Sequence, residues 1–196
     1  MKFAVFAAFV STLLPGILYA SDIKGGQIFQ RECMVCHGRD GSGQTDLGQK
    51  LRPLPAADLR PKILSRREII HVIRFGRKKT GMHGHSARLT DEEINHLVDY
   101  ILTLPYRAKP DEGRKVFQKN CARCHGQDGT GNQKPHIPNL VLSELSDIQM
   151  AEAIRQGHEN TIMGSFKGDL SNGDIGNILA WLRLKRYGLD SFLDSD

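Results

Sequence analysis

The sequence predicts an all-α protein of two tandem helical domains. Three observations carry that prediction. A unit of 88 residues is written twice along the chain. Each copy carries helix-start signals followed by apolar residues at helical spacing. No segment shows the period-two alternation of a half-buried strand, and a repeat of this length marks a duplicated structural unit.

Aligning Cys33 with Cys121 sets an offset of 88, at which Gly25, Phe29, Gln30, Cys36, His37, Gly38, Asp40, Gly41 and Gly43 match Gly113, Phe117, Gln118, Cys124, His125, Gly126, Asp128, Gly129 and Gly131. Further along the offset falls to 81, and Leu59, Arg74, Gly76, Met82, Leu89 and Ile94 match Leu140, Arg155, Gly157, Met163, Leu170 and Ile175. Gly81 against Ile162 is the exception within that run. The second copy is thus seven residues shorter between its His and its Met.

Each copy reads as a short helix, a Cys motif, a Gly/Pro-rich loop, a middle helix, a second loop and a long terminal helix. Ser65-x-x-Glu68 and Ser146-x-x-Gln149 open the middle helices, and Thr90-x-x-Glu93 and Ser171-x-x-Asp174 open the terminal ones. The first three are capping boxes and the last is a near form of one. In such a box, hydroxyl and acid or amide satisfy orphan N–H groups at the helix start. Ile94, Leu97, Val98 and Ile101, and in the second copy Ile175, Ile178, Leu179 and Leu182, form one buried stripe each. Leu104-Pro105 ends the first copy and Pro110-Asp111 opens the second. The expected domains are 21–108 and 109–196, joined by a linker at about 105–110. Domains of this size bury little surface and often need a staple. A bound cofactor is the obvious one.

The N-terminus reads Met1-Lys2, then apolar Phe3–Leu14, Pro15-Gly16 and Leu18-Tyr19-Ala20. That order of basic start, apolar core and small residue describes a secretory signal, residues 1–20, with cleavage after Ala20 and a periplasmic destination. The competing reading is an uncleaved anchor, the one route to membrane association; Pro15-Gly16 would break a spanning helix. No later apolar run reaches the length needed to span a bilayer. Hydrophobic residues at 39% and charged residues at 25% describe a globular chain. Charge is uneven. Residues 21–108 carry 15 Lys/Arg against 10 Asp/Glu, a net of +5, and residues 109–196 carry 11 against 12, a net of −1. The clusters Arg60-Pro61-Lys62, Arg66-Arg67 and Arg77-Lys78-Lys79 could steer an acidic protein partner or a membrane surface, or form a solvated face. Export, and the absence of aromatic residues among the basic ones, argue against nucleic acid.

All four cysteines lie in two five-residue motifs, Cys33-Met34-Val35-Cys36-His37 and Cys121-Ala122-Arg123-Cys124-His125. Cys-x-x-Cys-His is the pattern of c-type haem attachment. Two thiols three residues apart reach the two vinyl groups of one porphyrin edge, and the adjacent imidazole lies beneath the iron. A thioredoxin-like pair would need a βαβ context that is absent. A zinc tetrahedron would join both pairs, but each pair has its own His and its own repeat. A local disulfide explains neither the His nor the duplication.

Haem iron in an electron carrier needs a sixth ligand. Of five Met, Met1 leaves with the signal, Met34 lies inside a motif, and Met150 aligns with Ile69 on a helix. Met82 and Met163 remain, at matched positions between middle and terminal helices, and are the candidate iron ligands. A single Met is usually packing; the matched pair beside two haem motifs is what points to ligation. Rival histidines are His83 and His85 beside Met82, and His158 and His136 in the second copy. His71 and His96 fall on helices.

Both halves resemble class I cytochrome c domains, and nearly all of the mature chain resembles a two-domain dihaem cytochrome c. The resemblance implies two covalently attached haem c groups, bound through Cys33 and Cys36 and through Cys121 and Cys124, with axial ligands His37 and Met82, and His125 and Met163. It implies that Gly25 and Phe29 cross the terminal helix near Tyr100, and Gly113 and Phe117 near Trp181. It also implies a Pro carbonyl that orients each proximal imidazole: Pro138 in copy two, and Pro53 or Pro55 in copy one. The family's ligand Met is often followed by Pro, whereas His83 and Gly164 follow here. Two six-coordinate irons leave no open position, so the expected function is one-electron transfer between respiratory partner proteins that dock on charged surface near a haem edge, not catalysis. Alternatives are an electron-accepting subunit of a periplasmic dehydrogenase or respiratory complex and, more distantly, a dihaem peroxidase.

Overall fold

A computed structural model describes residues 16–131 and 136–194 of the chain. The first fifteen residues of the expected export signal lie outside the described residues. The first helix already begins at Gly16 and runs across the expected cut after Ala20.

The described residues form an all-α protein. Its helices are α1 (Gly16–Glu32), α2 (Met34–His37), α3 (Asp46–Lys50), α4 (Arg66–Phe75) and α5 (Asp91–Thr103) in the first half. The second half has α6 (Pro110–Asn120), α7 (Ala122–His125), α8 (Asp147–Gln156) and α9 (Asn172–Arg186), then a 3-10 turn at Asp190–Asp194. Among the described residues the only β pairing is two isolated bridges, Gly76 with His83 and Lys167 with Leu170.

All four capping motifs form complete boxes. Ser65 accepts from Glu68 N, and Glu68 Oε2 accepts from Ser65 N at 2.7 Å. The fourth, which the sequence gives only as a near form, closes as well: Asp174 Oδ2 accepts from Ser171 N at 2.9 Å. The shorter Asp side chain still reaches, because Ser171 Oγ donates to the same oxygen at 2.7 Å and draws it in. Helix α3 stands where the sequence predicts only a Gly/Pro-rich loop. It lies inside the stretch where the first copy has seven more residues than the second, and Thr45 caps it by accepting from Gly48 N at 2.9 Å.

Each half is closed by a crossing of its first and last long helices. A Cβ on Gly25 would collide with the His96 carbonyl, and one on Gly113 with the Asn177 carbonyl, so only glycine lets these backbones meet. Beside the first crossing the Phe29 and Tyr100 rings lie 5.3 Å apart, and beside the second Phe117 and Trp181 lie 4.8 Å apart, both tilted. The crossings therefore stand where the resemblance put them. Ile94, Leu97, Val98 and Ile101 are buried with Phe29 in one core, and Ile175, Ile178, Leu179 and Leu182 with Phe117 and Trp181 in another. Met150 belongs to the second core.

The two cores are not independent. Ile63, from the first half, is 3% exposed and buried in the second-half core. Tyr106 Oη donates to Asn177 Oδ1 at 2.8 Å and lies 3.2 Å from the Gly173 carbonyl, bridging from the linker onto α9.

Gly25→Ala should weaken the first crossing by roughly 1–3 kcal/mol, as overpacking does in a close-packed core. Thermal unfolding of the variant checks this; an unchanged melting temperature would mean that the helices can part without cost.

Candidate functional site

The site begins with one turn of backbone. His37 N donates to the Cys33 carbonyl at 2.9 Å and Cys36 N to the same oxygen at 3.2 Å. His125 and Cys124 repeat this on Cys121 at 2.9 and 3.1 Å. Each turn gathers two thiols and an imidazole at the end of the half's first long helix. Gly38 and Gly126 then turn the chain with φ of 76° and 80°, conformations that strain any other residue. Gly43 N and Gly131 N each close back on the histidine carbonyl at 2.8 Å.

No disulfide joins any of the four cysteines. Burial pushes Cys33 up to about 12 and Cys121 up to about 11. Among the described residues no three His, Cys, Asp or Glu gather as a metal cluster.

Burial also holds both histidines below their ordinary value, so both rings are neutral. His37 Nδ1 lies 2.9 Å from the Ala57 carbonyl. A carbonyl only accepts, so Nδ1 carries the proton and Nε2 keeps its lone pair for a metal. The His125 ring is buried with the Pro138 carbonyl close by, and its Nδ1 has no hydrogen-bond partner of regular geometry. Pro53 and Pro55 do not serve the first half; both are exposed, and the non-proline residue Ala57 supplies the carbonyl instead.

The two methionines sit in loops of the same build. Gly76 and Gly157 leave α4 and α8 with φ of 70° and 78°. Arg77 N donates to the Met82 carbonyl at 2.9 Å, and His158 N to the Met163 carbonyl at 3.0 Å. Thr80 Oγ1 donates to Arg77 O at 2.8 Å and accepts from Met82 N at 3.2 Å. Thr161 does the same with His158 O at 2.8 Å and Met163 N at 3.1 Å. Thr80 and Thr161 are themselves matched at the repeat offset, a signal the motif-centred reading passed over. Both methionines are half-buried. Met163 packs against the second-half core together with Cys121; Met82 is not packed against the first-half core.

The rival histidines are placed otherwise. His83, His136 and His158 are exposed. His85 is buried, but its Nδ1 lies 3.2 Å from an Arg88 nitrogen and 3.6 Å from Glu32 Oε2. His71 packs tilted against Phe75 with centroids 5.0 Å apart, and His96 lies 3.4 Å from Glu92.

The donor set therefore fits a haem in each half: two unpaired thiols and a neutral imidazole with a free Nε2 on one turn, and a thioether on a braced loop. Fold and site define a dihaem class I cytochrome c, carrying two covalently attached haem c groups. More narrowly, the chain belongs to the family described as "Cytochrome C oxidase, cbb3-type, subunit III", whose model matches residues 20–101 and again 108–182. The cbb3-type oxidase subunit FixP of Bradyrhizobium diazoefficiens is 29% identical over 180 residues, covering 82% of this chain and 60% of its own. The subunit CcoP of Cereibacter sphaeroides is 28% identical over 139 residues, covering 65% and 47%. The chain thus spans about half the length of the curated relatives it matches. A chain of the Kuenenia stuttgartiensis reducing HAO-like complex aligns with a TM-score of 0.39 at 18% identity, over 82% of this chain and 94% of that one.

Thr80→Val removes both braces of the first methionine loop. The variant should lose about 1 kcal/mol or slightly more, the net contribution of one to two hydrogen bonds. Denaturant unfolding measures it, and Thr161→Val, at a more exposed residue, should lose less.

Proposed function

We propose that the chain carries single electrons between respiratory partner proteins through two His/Met-ligated haems, and is not itself an enzyme. In this reading Cys33 and Cys36 tether the first haem, and His37 and Met82 are its axial ligands. Cys121, Cys124, His125 and Met163 do the same for the second. The domains are 21–108 and 109–196. The observation that carries the reading is the pair of methionine loops braced by matching hydrogen bonds, one in each half beside its own Cys-x-x-Cys-His turn.

Haem supplies the reversible one-electron couple; everything else falls to the chain. His37 and His125 present neutral Nε2 lone pairs. Met82 and Met163, as thioethers, favour the reduced iron and raise the potential. The cores behind the rings keep water away, which tunes the potential further. Filling both axial positions leaves no place for a substrate, which sets this reading apart from a dihaem peroxidase. The positive balance of 21–108 would steer an acidic partner into a weak encounter, as transient redox complexes require.

We place the protein in the periplasm, exported by the apolar N-terminus. No helix among the described residues is long and apolar enough to cross a membrane. The second reading, an electron-accepting subunit held in a larger respiratory complex, is favoured by the relatives, which are named as oxidase subunits. Co-purification with membrane partners separates that reading from a free shuttle.

The purified protein should exceed its polypeptide mass by two haems. Its ferric optical and paramagnetic-resonance spectra should show two low-spin sites with a Met-to-iron charge-transfer band. Met82→Ala and Met163→Ala should each remove one Met-ligated signal. If neither changes the spectrum, the axial ligands are other residues.

A further inference from the structure

The segment from Ala57 to Ile63 does two things at once. Its first carbonyl, on Ala57, receives the His37 ring at 2.9 Å. Its next carbonyl, on Asp58, receives Asn172 Nδ2 of the second half at 3.1 Å. Pro61 packs on α9 where Gly176 leaves room: a Cβ there would sit 3.1 Å from Pro61 Cβ and 2.8 Å from Tyr106 Oη. Ile63 ends the segment buried in the second-half core, and its carbonyl accepts from an Arg155 nitrogen at 3.2 Å. That guanidinium is nine-tenths buried and held by Glu152 Oε2 at 2.9 Å.

The corresponding segment of the second half has no such anchor. Glu144 stands where Ile63 stands in the first half, and it is exposed. Leu142, two residues before it, is 64% exposed. The backbone function is shared, since Leu59 N bonds to Gly41 O at 2.8 Å and Leu140 N to Gly129 O at 2.9 Å. What differs is that one strap is clamped by the other half, whereas the second is held within its own: Val141 is buried in the second-half core and the Ser143 carbonyl accepts from Arg186 at 3.0 Å.

We propose that the second half positions the axial histidine of the first haem. Asn172 and the seat of Ile63 are the positioning residues, acting through the Ala57–Ile63 strap. The carbonyl that polarises His37 is one residue from the carbonyl that Asn172 grips, so the two cannot move independently. A firm Nδ1–H···O bond makes the imidazole a better donor at Nε2, stabilises the oxidised iron and lowers the potential. Loosening the strap weakens that bond, and the potential of the first haem rises. The second haem, whose histidine is served within its own half, is indifferent to the clamp. The first haem therefore reports how tightly the halves are packed, and a partner that loosens the interface alters its potential.

This inference rests on the proposed haem attachment, and the test separates the two. The full-length holoprotein is titrated optically, and its two waves are assigned with Met163→His, which moves the second alone. An unsubstituted protein heavier than its polypeptide by fewer than two haems refutes the attachment reading; where the two couples overlap, the Met163→His background separates them. Given two waves, Asn172→Ala should move the first wave to higher potential and leave the second in place. Ile63→Val trims the same anchor by one methylene and should give a smaller shift of the same sign, which covers the case in which Asn172→Ala does not fold. Glu144→Ala, at the unclamped strap, should move neither wave. The inference is overturned if the variants melt earlier with both waves unmoved, or if both waves shift together.

Discussion

The contact on which the rest of the first half depends is the hydrogen bond from the His37 ring to the Ala57 carbonyl. The turn of α2 sets where the imidazole starts, but only this bond sets its tautomer and plane. To bring a carbonyl twenty residues away to that spot, the chain has to fold a loop around α3 and tie it at several points. Gly43 N returns to His37 O, Ala56 N bonds to Gly48 O, and Thr45 Oγ1 donates to Cys36 O. Asp58 then grips Arg60 at 2.8 Å and stiffens the strap just beyond the carbonyl. A loop with this many internal bonds is a built part of the site, not slack between helices.

Duplication makes the divergences informative, because the two halves share a backbone and differ in a few side chains. His85 and Phe166 both bond through backbone N to the end of the middle helix, at Ile73 O and Ile154 O. Phe166 packs against its core, as an apolar ring should. His85 in the same place is a polar ring in a buried setting, and the first half supplies Glu32 where the second has Asn120. Burial and the nearby Arg88 hold His85 below its ordinary value, against the pull of Glu32. A buried imidazole has thus been matched with a partner. His83 stays exposed, and Met82 keeps the braced loop that Met163 also has.

The elements that could be read from the sequence are those whose cause is local. A capping box needs residues three apart, a stripe needs four apolar positions on one helix, and the thiol–imidazole turn needs five consecutive residues. The crossing glycines were legible only because the repeat and the resemblance pointed to them. Ala57 was not legible as a residue type, since every residue has a carbonyl and proline merely marks the usual place. Its position was still encoded, because the offset of 81 that carries Leu59 to Leu140 carries Ala57 to Pro138. The usual proline points to Pro53 and Pro55, whereas the register points to Ala57. Helix α3 is five residues long, too short for periodicity to declare it. Ile63 in the second-half core is a contact across 92 residues to Arg155, and nothing in the local pattern of either segment foretells it.

The balance of forces at that interface explains why it can be sensitive where the cores are not. Burying one Ile contributes about 1.5–3 kcal/mol, and each neutral hydrogen bond onto the strap a net of about 0.5–1.5 kcal/mol. Within each half, by contrast, an interdigitated stripe of four aliphatic residues and an aromatic pair hold the helix crossing, so separating α6 from α9 exposes several such side chains at once. The halves are therefore joined firmly enough to pack as a unit, yet by far fewer contacts than hold either helix crossing. Any change in the surroundings of the protein that costs a few kcal/mol is felt at Asn172 and Ile63 before it is felt at Phe117 or Trp181, and the strap conveys it to His37 through a single peptide unit.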